Sequence, residues 1–241
     1  SPVGGETPIA DMHKVWEQVP AQIREEFEER GLKYTQIVNH RPSRFMKKTW
    51  TEMFNTEDPA EVERVCRDQK IHVEWGKRQS LRLNHVRPAV LTHPTNGKKI
   101  WFNQAHIFHP SFSCELKRFG LRLRWFLLHR YEIFCRRWKP DAYPYNCTFG
   151  DGGKIPLEDI EEIRDVLWSQ STSFPWQRGD LVVLDNLWIA HSRLPYDGER
   201  LILTSLIEGV KSDTPATRAL FPSIDMDAGI ASPGQTEPPA M

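Results

Sequence analysis

Short apolar segments broken by turn-forming residues constrain this 241-residue chain more than any other feature. Ile71–Trp75, Leu81–Leu83, Ala89–Thr92 and Lys99–Phe102 are each too brief for a useful helix, and Gly, Pro and Asn lie between them. That rhythm is the mark of a β-rich domain. The length suits one well-buried unit, because β-rich barrels often reach this size without dividing.

Helical patterns flank the β-like segments. Val15, Trp16, Val19, Ile23 and Phe27 recur at near-helical spacing, with Asp11 placed to cap the start and Gly31 to end it, so one covering helix is predicted over 11–31. A strand is expected over Leu32–Val38. Asp58-Pro59-Ala60-Glu61 opens a second helix with Val62, Val65 and Cys66 on its apolar side, and Pro156–Leu167 a third with Ile160, Ile163 and Leu167 inward. The stretch 117–139 stands apart: Lys117, Arg118, Arg122, Arg124, Arg130, Arg136, Arg137 and Lys139 face one acid, Glu132, among many aromatic and aliphatic residues. Such a helix can serve a membrane surface or a protein partner. The favoured expectation is an inserted helix that packs its apolar side on the barrel and leaves its arginines in solvent.

Lys+Arg and Asp+Glu balance at 32 each, so no global charge argues for nucleic acid, and no nucleic-acid partner is expected. Cys66, Cys114, Cys135 and Cys147 are scattered without a CxxC pair, which fits reduced thiols and an intracellular, cytoplasmic setting. No apolar run reaches the roughly 20 residues of a membrane span. The opening Ser1-Pro2-Val3-Gly4-Gly5-Glu6 reads as a loop already inside a fold, as expected of a fragment or a processed chain.

The most informative stretch is a turn at Phe174-Pro175-Trp176-Gln177-Arg178-Gly179-Asp180, then an expected strand Leu181–Leu184, a corner at Asp185-Asn186, and Leu187-Trp188-Ile189-Ala190-His191. After a polar turn, Leu201–Ile207 reads as a final strand. Two neighbouring antiparallel strands of this kind would hold His191 and Arg200 close together. If both point into a barrel, the imidazole can bind a metal while the guanidinium forks onto a carboxylate nearby.

Three pieces of sequence carry a resemblance to a known family: Gly4-Gly5-Glu6-Thr7-Pro8-Ile9-Ala10-Asp11, Ile100-Trp101-Phe102-Asn103-Gln104-Ala105-His106-Ile107-Phe108-His109, and Trp176-Gln177-Arg178-Gly179-Asp180 through His191 to Arg200. With Phe149-Gly150-Asp151-Gly152 they follow the family's order along nearly the whole chain. The sequence resembles the TauD/TfdA (taurine dioxygenase) family of Fe(II)- and 2-oxoglutarate-dependent oxygenases, in its clavaminate-synthase-like and syringomycin-hydroxylase-like branch. The resemblance implies that His191 is the distal iron ligand, that Arg200 grips the distal carboxylate of 2-oxoglutarate, and that Thr7 hydrogen-bonds that carboxylate. Asn103 and His106 would lie beside a small-molecule or carrier-bound substrate, although histidines simply bonded to backbone remain the plainer reading there.

The fold so implied is mainly β with covering helices (α+β), a double-stranded β-helix or jelly roll incomplete at its N-terminal edge. It would occupy 1–211, with the basic insertion near 117–139 and a flexible tail over 212–241, where Pro, Ser, Asp and Gly accumulate without period. In the family, a His-x-Asp or His-x-Glu pair upstream of the Gly-Gly-Glu-Thr loop completes the iron site. Only Ser1-Pro2-Val3 precede that loop here, so the chain is expected to be inactive by itself, with the missing pair in a parent sequence. The one His-x-Glu present, His72-Val73-Glu74, would put both side chains on one strand face, but it falls in a segment expected at the surface. Two other readings stand beside the oxygenase: a catalytically dead relative acting as a binding or scaffold module, and a cupin-like protein with a three-His site from His106, His109 and His191.

Overall fold

The three-dimensional structure is a computed structural model that describes residues 3–42, 48–138, 143–199 and 201–205. Strand β1 (Val3–Gly4) and strand β2 (Thr7–Asp11) lead directly into helix α1 (Met12–Gln18). The switch from strand to helix is made by Asp11, whose carboxylate accepts from the backbone N–H groups of His13 at 2.9 Å and Lys14 at 3.1 Å. The single helix expected over 11–31 is in fact two, α1 and α2 (Ala21–Arg30). Pro20 is the cause. It has no N–H to give the Trp16 carbonyl, and its ring drives Val19 into extended geometry (φ −59°, ψ 132°). The carbonyl left over is taken by the Arg24 guanidinium at 3.2 Å. Gly31 then ends α2 at φ 58°, as expected.

Beyond it run strand β3 (Leu32–Val38), helices α3 (Trp50–Phe54) and α4 (Pro59–Asp68), and strands β4 (His72–Trp75), β5 (Leu81–Arg87), β6 (Val90–Thr92) and β7 (Lys99–Trp101). Helices α5 (Ala105–Phe108), α6 (Ser113–Arg118) and α7 (Arg122–Trp138) follow, then strand β8 (Tyr145–Phe149), helix α8 (Leu157–Ser169), and strands β9 (Ser171–Phe174), β10 (Ile189–His191) and β11 (Tyr196–Asp197). Among the described residues the sheets are β4-β5-β3-β8, β10-β2-β9, β6-β7 and β1-β11, and every pairing is antiparallel. The protein is an α+β molecule.

Period-two alternation decides which face of the four-stranded sheet is covered: Leu32, Tyr34, Val38, Leu81, Leu83, Cys147 and Phe149 are all buried. Two cores form on it. The larger joins α1, α2, β3, β6, β7, β8 and α8 around Phe27, Leu32, Trp101, Phe149 and Ile160. The smaller gathers Val38, Trp50, Val62, Cys66, Leu81 and Leu83 beneath α3 and α4. Gly150, just past β8, is held where its N–H meets the carbonyls of Arg30 and Gly31 at 3.1 Å, and a Cβ there would lie 2.4 Å from the Arg30 carbonyl oxygen. All four cysteines are free thiols, three of them buried.

Three expectations need correction. The basic helix is split into α6 and α7 at Gly120 (φ 73°), and α7 does not bury its apolar residues as foreseen. Leu123 and Trp138 are 73% and 69% exposed, while Glu132 and Cys135 lie inside. Leu181–Leu184 and residues 201–205 form no strand, and Leu181, Val183, Leu201 and Leu203 are 83–87% exposed. An apolar run becomes a strand only when another strand takes its N–H and C=O groups, and among the described residues none lies alongside. The tail over 212–241 lies outside the described residues. No helix among the described residues is long and apolar enough to cross a membrane.

Candidate active site

Strand β2 is gripped along both edges, and the residues before it along one. On one side Thr7 to Ala10 pair with Phe174 to Ser171 of β9. On the other the chain from Ile189 to Asp197 runs the whole length: Ile189 to His191 pair with Asp11 to Ile9, and Tyr196 and Asp197 with Gly4 and Val3. The bend between β10 and β11 stays attached through Ser192 N–H to the Pro8 carbonyl, Leu194 N–H to the Glu6 carbonyl, and Gly5 N–H to the Pro195 carbonyl, each at 3.0 Å. Gly4 is required for this close approach: at φ 69°, a Cβ on it would meet the Pro195 carbonyl oxygen at 2.5 Å.

The register fixes which side chains share a face. His191 is opposite Ile9, and Thr7 is two residues along the same strand, so the imidazole and the hydroxyl stand on one face of β10-β2-β9. Ala10 and Ala190 face the larger core on the other side. His191 is exposed at the end of β10, whereas Thr7 is buried, 8% exposed. The Thr7 hydroxyl accepts a hydrogen bond from the Trp176 indole N–H at 2.6 Å. Since a hydroxyl has one donor as well as its acceptor sites, that contact fixes the oxygen and leaves its hydrogen to point at an incoming acceptor. Trp176 entered the sequence reading only as part of the 176–180 motif. Its indole being a donor and nothing else was the available signal, but the partner 169 residues away was not readable.

The corner before β10 is braced. Asp185 accepts from the Leu187 N–H at 3.0 Å through its carboxylate, and its carbonyl accepts from Trp188 at 3.0 Å and Ile189 at 2.8 Å. The second carboxylate oxygen meets Nε2 of buried His93 at 2.9 Å. Partial burial works against the Asp185 charge, but the hydrogen bonds from His93 and the Leu187 backbone prevail and hold its carboxyl below the usual range. Trp188 packs edge-on against His93, with ring centroids 5.2 Å apart.

The remaining expected residues are placed elsewhere or lie beyond description. Arg200 is outside the described residues; among those described, β10 pairs with β2, and residues 201–205 form no strand beside it. Asn103 gives its amide N–H to the Ala89 carbonyl at 3.0 Å and takes the Ala105 N–H at 3.1 Å, so both ends brace the turn into α5. His106 donates no side-chain bond from its buried Nδ1; desolvation and nearby Arg164 push its imidazole down to about 4. His109 shares a hydrogen with the Ser111 hydroxyl at 2.7 Å. His72 and Glu74 sit on β4, in the other sheet, largely exposed, with Glu74 engaged by Asn84. Among the described residues no group of three His, Cys, Asp or Glu could hold a metal ion, and His106, His109 and His191 are not brought together into one. An iron facial site takes three protein ligands. The described residues offer one candidate, His191, and by themselves do not fit a closed iron site.

Comparisons with known proteins bear on the family. Over 207 residues the chain is 35% identical to the dapdiamide synthesis protein DdaC of Enterobacter agglomerans, a match covering 86% of this chain and 58% of that protein. It is 28% identical over 209 residues to a clavaminate synthase-like protein of Arabidopsis thaliana, covering 84% of this chain and 56% of the relative. The chain therefore spans somewhat more than half the length of these relatives. Residues 1–206 match the family described as taurine catabolism dioxygenase TauD, TfdA family, and the chain belongs to that family of oxygenases.

Proposed function

We propose that the protein is an Fe(II)- and 2-oxoglutarate-dependent dioxygenase, built on a jelly-roll barrel, that hydroxylates an unactivated C–H bond of a small or carrier-bound substrate. The observation that carries this reading is the register that sets His191 and Thr7 on the same face of one antiparallel sheet, where a metal ligand and a carboxylate donor can meet one bound molecule. Bound iron would supply the activation of dioxygen, coupled to decarboxylation of 2-oxoglutarate to succinate. The chain's own part is positional. His191 offers its imidazole from the end of a strand whose start is fixed by the Asp185 corner. Thr7, oriented by Trp176, donates to the 2-oxoglutarate carboxylate, and Arg200 supplies its cation. The unpaired thiols support a reducing, intracellular setting.

Anaerobic titration with Fe(II), with and without 2-oxoglutarate, tests the proposal in the complete protein. The wild type should bind both, each tightening the other, and His191→Ala should weaken iron at least about tenfold, since even outer partners of a metal ligand change affinity by that much. Absence of Fe(II) binding and of succinate release would discard the oxygenase reading in favour of a catalytically dead binding module.

A further inference from the structure

The side of α7 turned away from the core is an exposed surface that the oxygenase reading does not use. Leu123, Phe126, Leu127, Ile133, Phe134 and Trp138 are each 44–73% exposed on this one helix of 17 residues. At 3.6 residues per turn, Leu123, Phe134, Leu127 and Trp138 fall within a sector of about 60°, forming a ridge about 25 Å long. Arginines border it: Arg130 and Arg137 on one flank, with Arg122 further round on that side, and Arg124 on the other, all exposed. Arg130 lies over the Phe126 ring at 5.6 Å and Arg137 over Trp138 at 5.6 Å, and among the described residues neither has a carboxylate partner. Glu132, the one acid of α7, is turned inward, where it is 0% exposed and accepts from the Ser113 N–H at 2.9 Å and the Tyr143 hydroxyl at 3.1 Å. The exposed face is thus apolar and cationic with no acid.

We infer that α7 docks the protein onto an anionic phospholipid surface, lying in the plane of the headgroups. The charge complementarity is one-sided: cations flank an apolar ridge, so the ridge can enter the acyl boundary while the long arginine side chains reach phosphates on either side. The helix is too short and too charged to cross the bilayer. Its inner side is already anchored by Glu132 and Cys135, so it needs no folding on contact, and the docking is independent of the iron site.

Sedimentation of the full protein with vesicles of equal parts phosphatidylglycerol and phosphatidylcholine, against phosphatidylcholine alone, tests this. Binding is expected to the anionic vesicles only, and to fall as salt rises. Arg130→Gln with Arg137→Gln should weaken it about thirtyfold, from about fivefold per cation near an anionic surface. Leu127→Ser with Phe134→Ser should abolish it. All four positions are exposed, so both variants should keep the parent circular dichroism and 2-oxoglutarate binding. Failure to sediment with anionic vesicles, equal binding to both kinds, or indifference to these substitutions overturns the inference. Capture of the protein by soluble polyglutamate but not by vesicles overturns it too and points to an acidic protein partner.

Discussion

Thr7 has a hydroxyl that accepts from the Trp176 indole and whose hydrogen has no acceptor among the described residues. Under the proposed function, Thr7→Val removes the donor while keeping the shape, and 2-oxoglutarate affinity should fall about tenfold or more, as for a lost hydrogen bond to a charged group. Calorimetric titration reads this, and Fe(II) affinity should stay unchanged. Two histidines set a different expectation. Desolvation, with nearby Arg87 for His85 and Arg164 for His106, pushes both imidazoles from 6.5 to about 4. Their folded pKa values are depressed, so stability is fully present above pH 6.5 and is lost as pH falls toward about 4, where the unfolded chain binds protons that the folded one refuses. Each should contribute about 2–3 kcal/mol to that loss. Urea denaturation across this range should show it, and His106→Asn should make the decline shallower; an unchanged slope would rule out His106 as a source. Histidines in the sequence were legible as candidates for metal. That one would be a half-buried ring with its Nδ1 shut away from solvent was not, because burial is decided by what packs over it.

At the scale of elements, α8 is tied to α5 and α6 by a side chain that no apolar pattern foretold. Arg164 lies on the buried face of α8, 1% exposed, beside Ile160, Ile163 and Leu167. Its guanidinium donates to the Ser111 hydroxyl at 3.0 Å and to the His106 carbonyl at 2.6 Å, and Nε faces Glu115 at 3.3 Å as an ion pair without hydrogen-bond geometry. Glu115 also accepts from the Trp168 indole at 2.9 Å. Arg164→Met would leave the Glu115 carboxylate buried without its cation, and destabilisation of about 3–5 kcal/mol is expected by chemical denaturation. Adding Glu115→Leu should recover much of it, and failure to do so would show that the bonds to Ser111 and His106 dominate. The starts of α4 and α1 were readable, because a cap is a bond between a side chain and a backbone only two or three residues away. The break at Pro20 was equally local and readable, but the apolar spacing of Val15, Val19 and Ile23 runs through it without a gap and concealed it.

Over the whole molecule, two cores share the sheet of β3 and β5, and the site sheet rests on the larger one. Trp50 fills the smaller core, donates to the Gln79 carbonyl at 2.9 Å and meets Trp75 edge-on with ring centroids 5.2 Å apart. Trp50→Ala should remove about 3–5 kcal/mol from that lobe. Hydrogen exchange should then quicken over residues 50–75 while β2 stays protected; equal loss of protection in β2 would mean that the two cores open as one unit. The sequence by itself determined the starts of α1 and α4, the strand Leu32–Val38, the family to which the chain belongs, and Thr7 and His191 as residues to watch. Tertiary structure decided the rest. Among the described residues β10 pairs with β2 rather than with its sequence neighbours, the Thr7 hydroxyl finds an indole far along the chain, and two apolar runs near the end stay unpaired. A cap or a turn is settled by bonds within a few residues, whereas a strand is defined by a partner whose distance along the chain is free and whose register, shifted by one, turns every side chain to the other face.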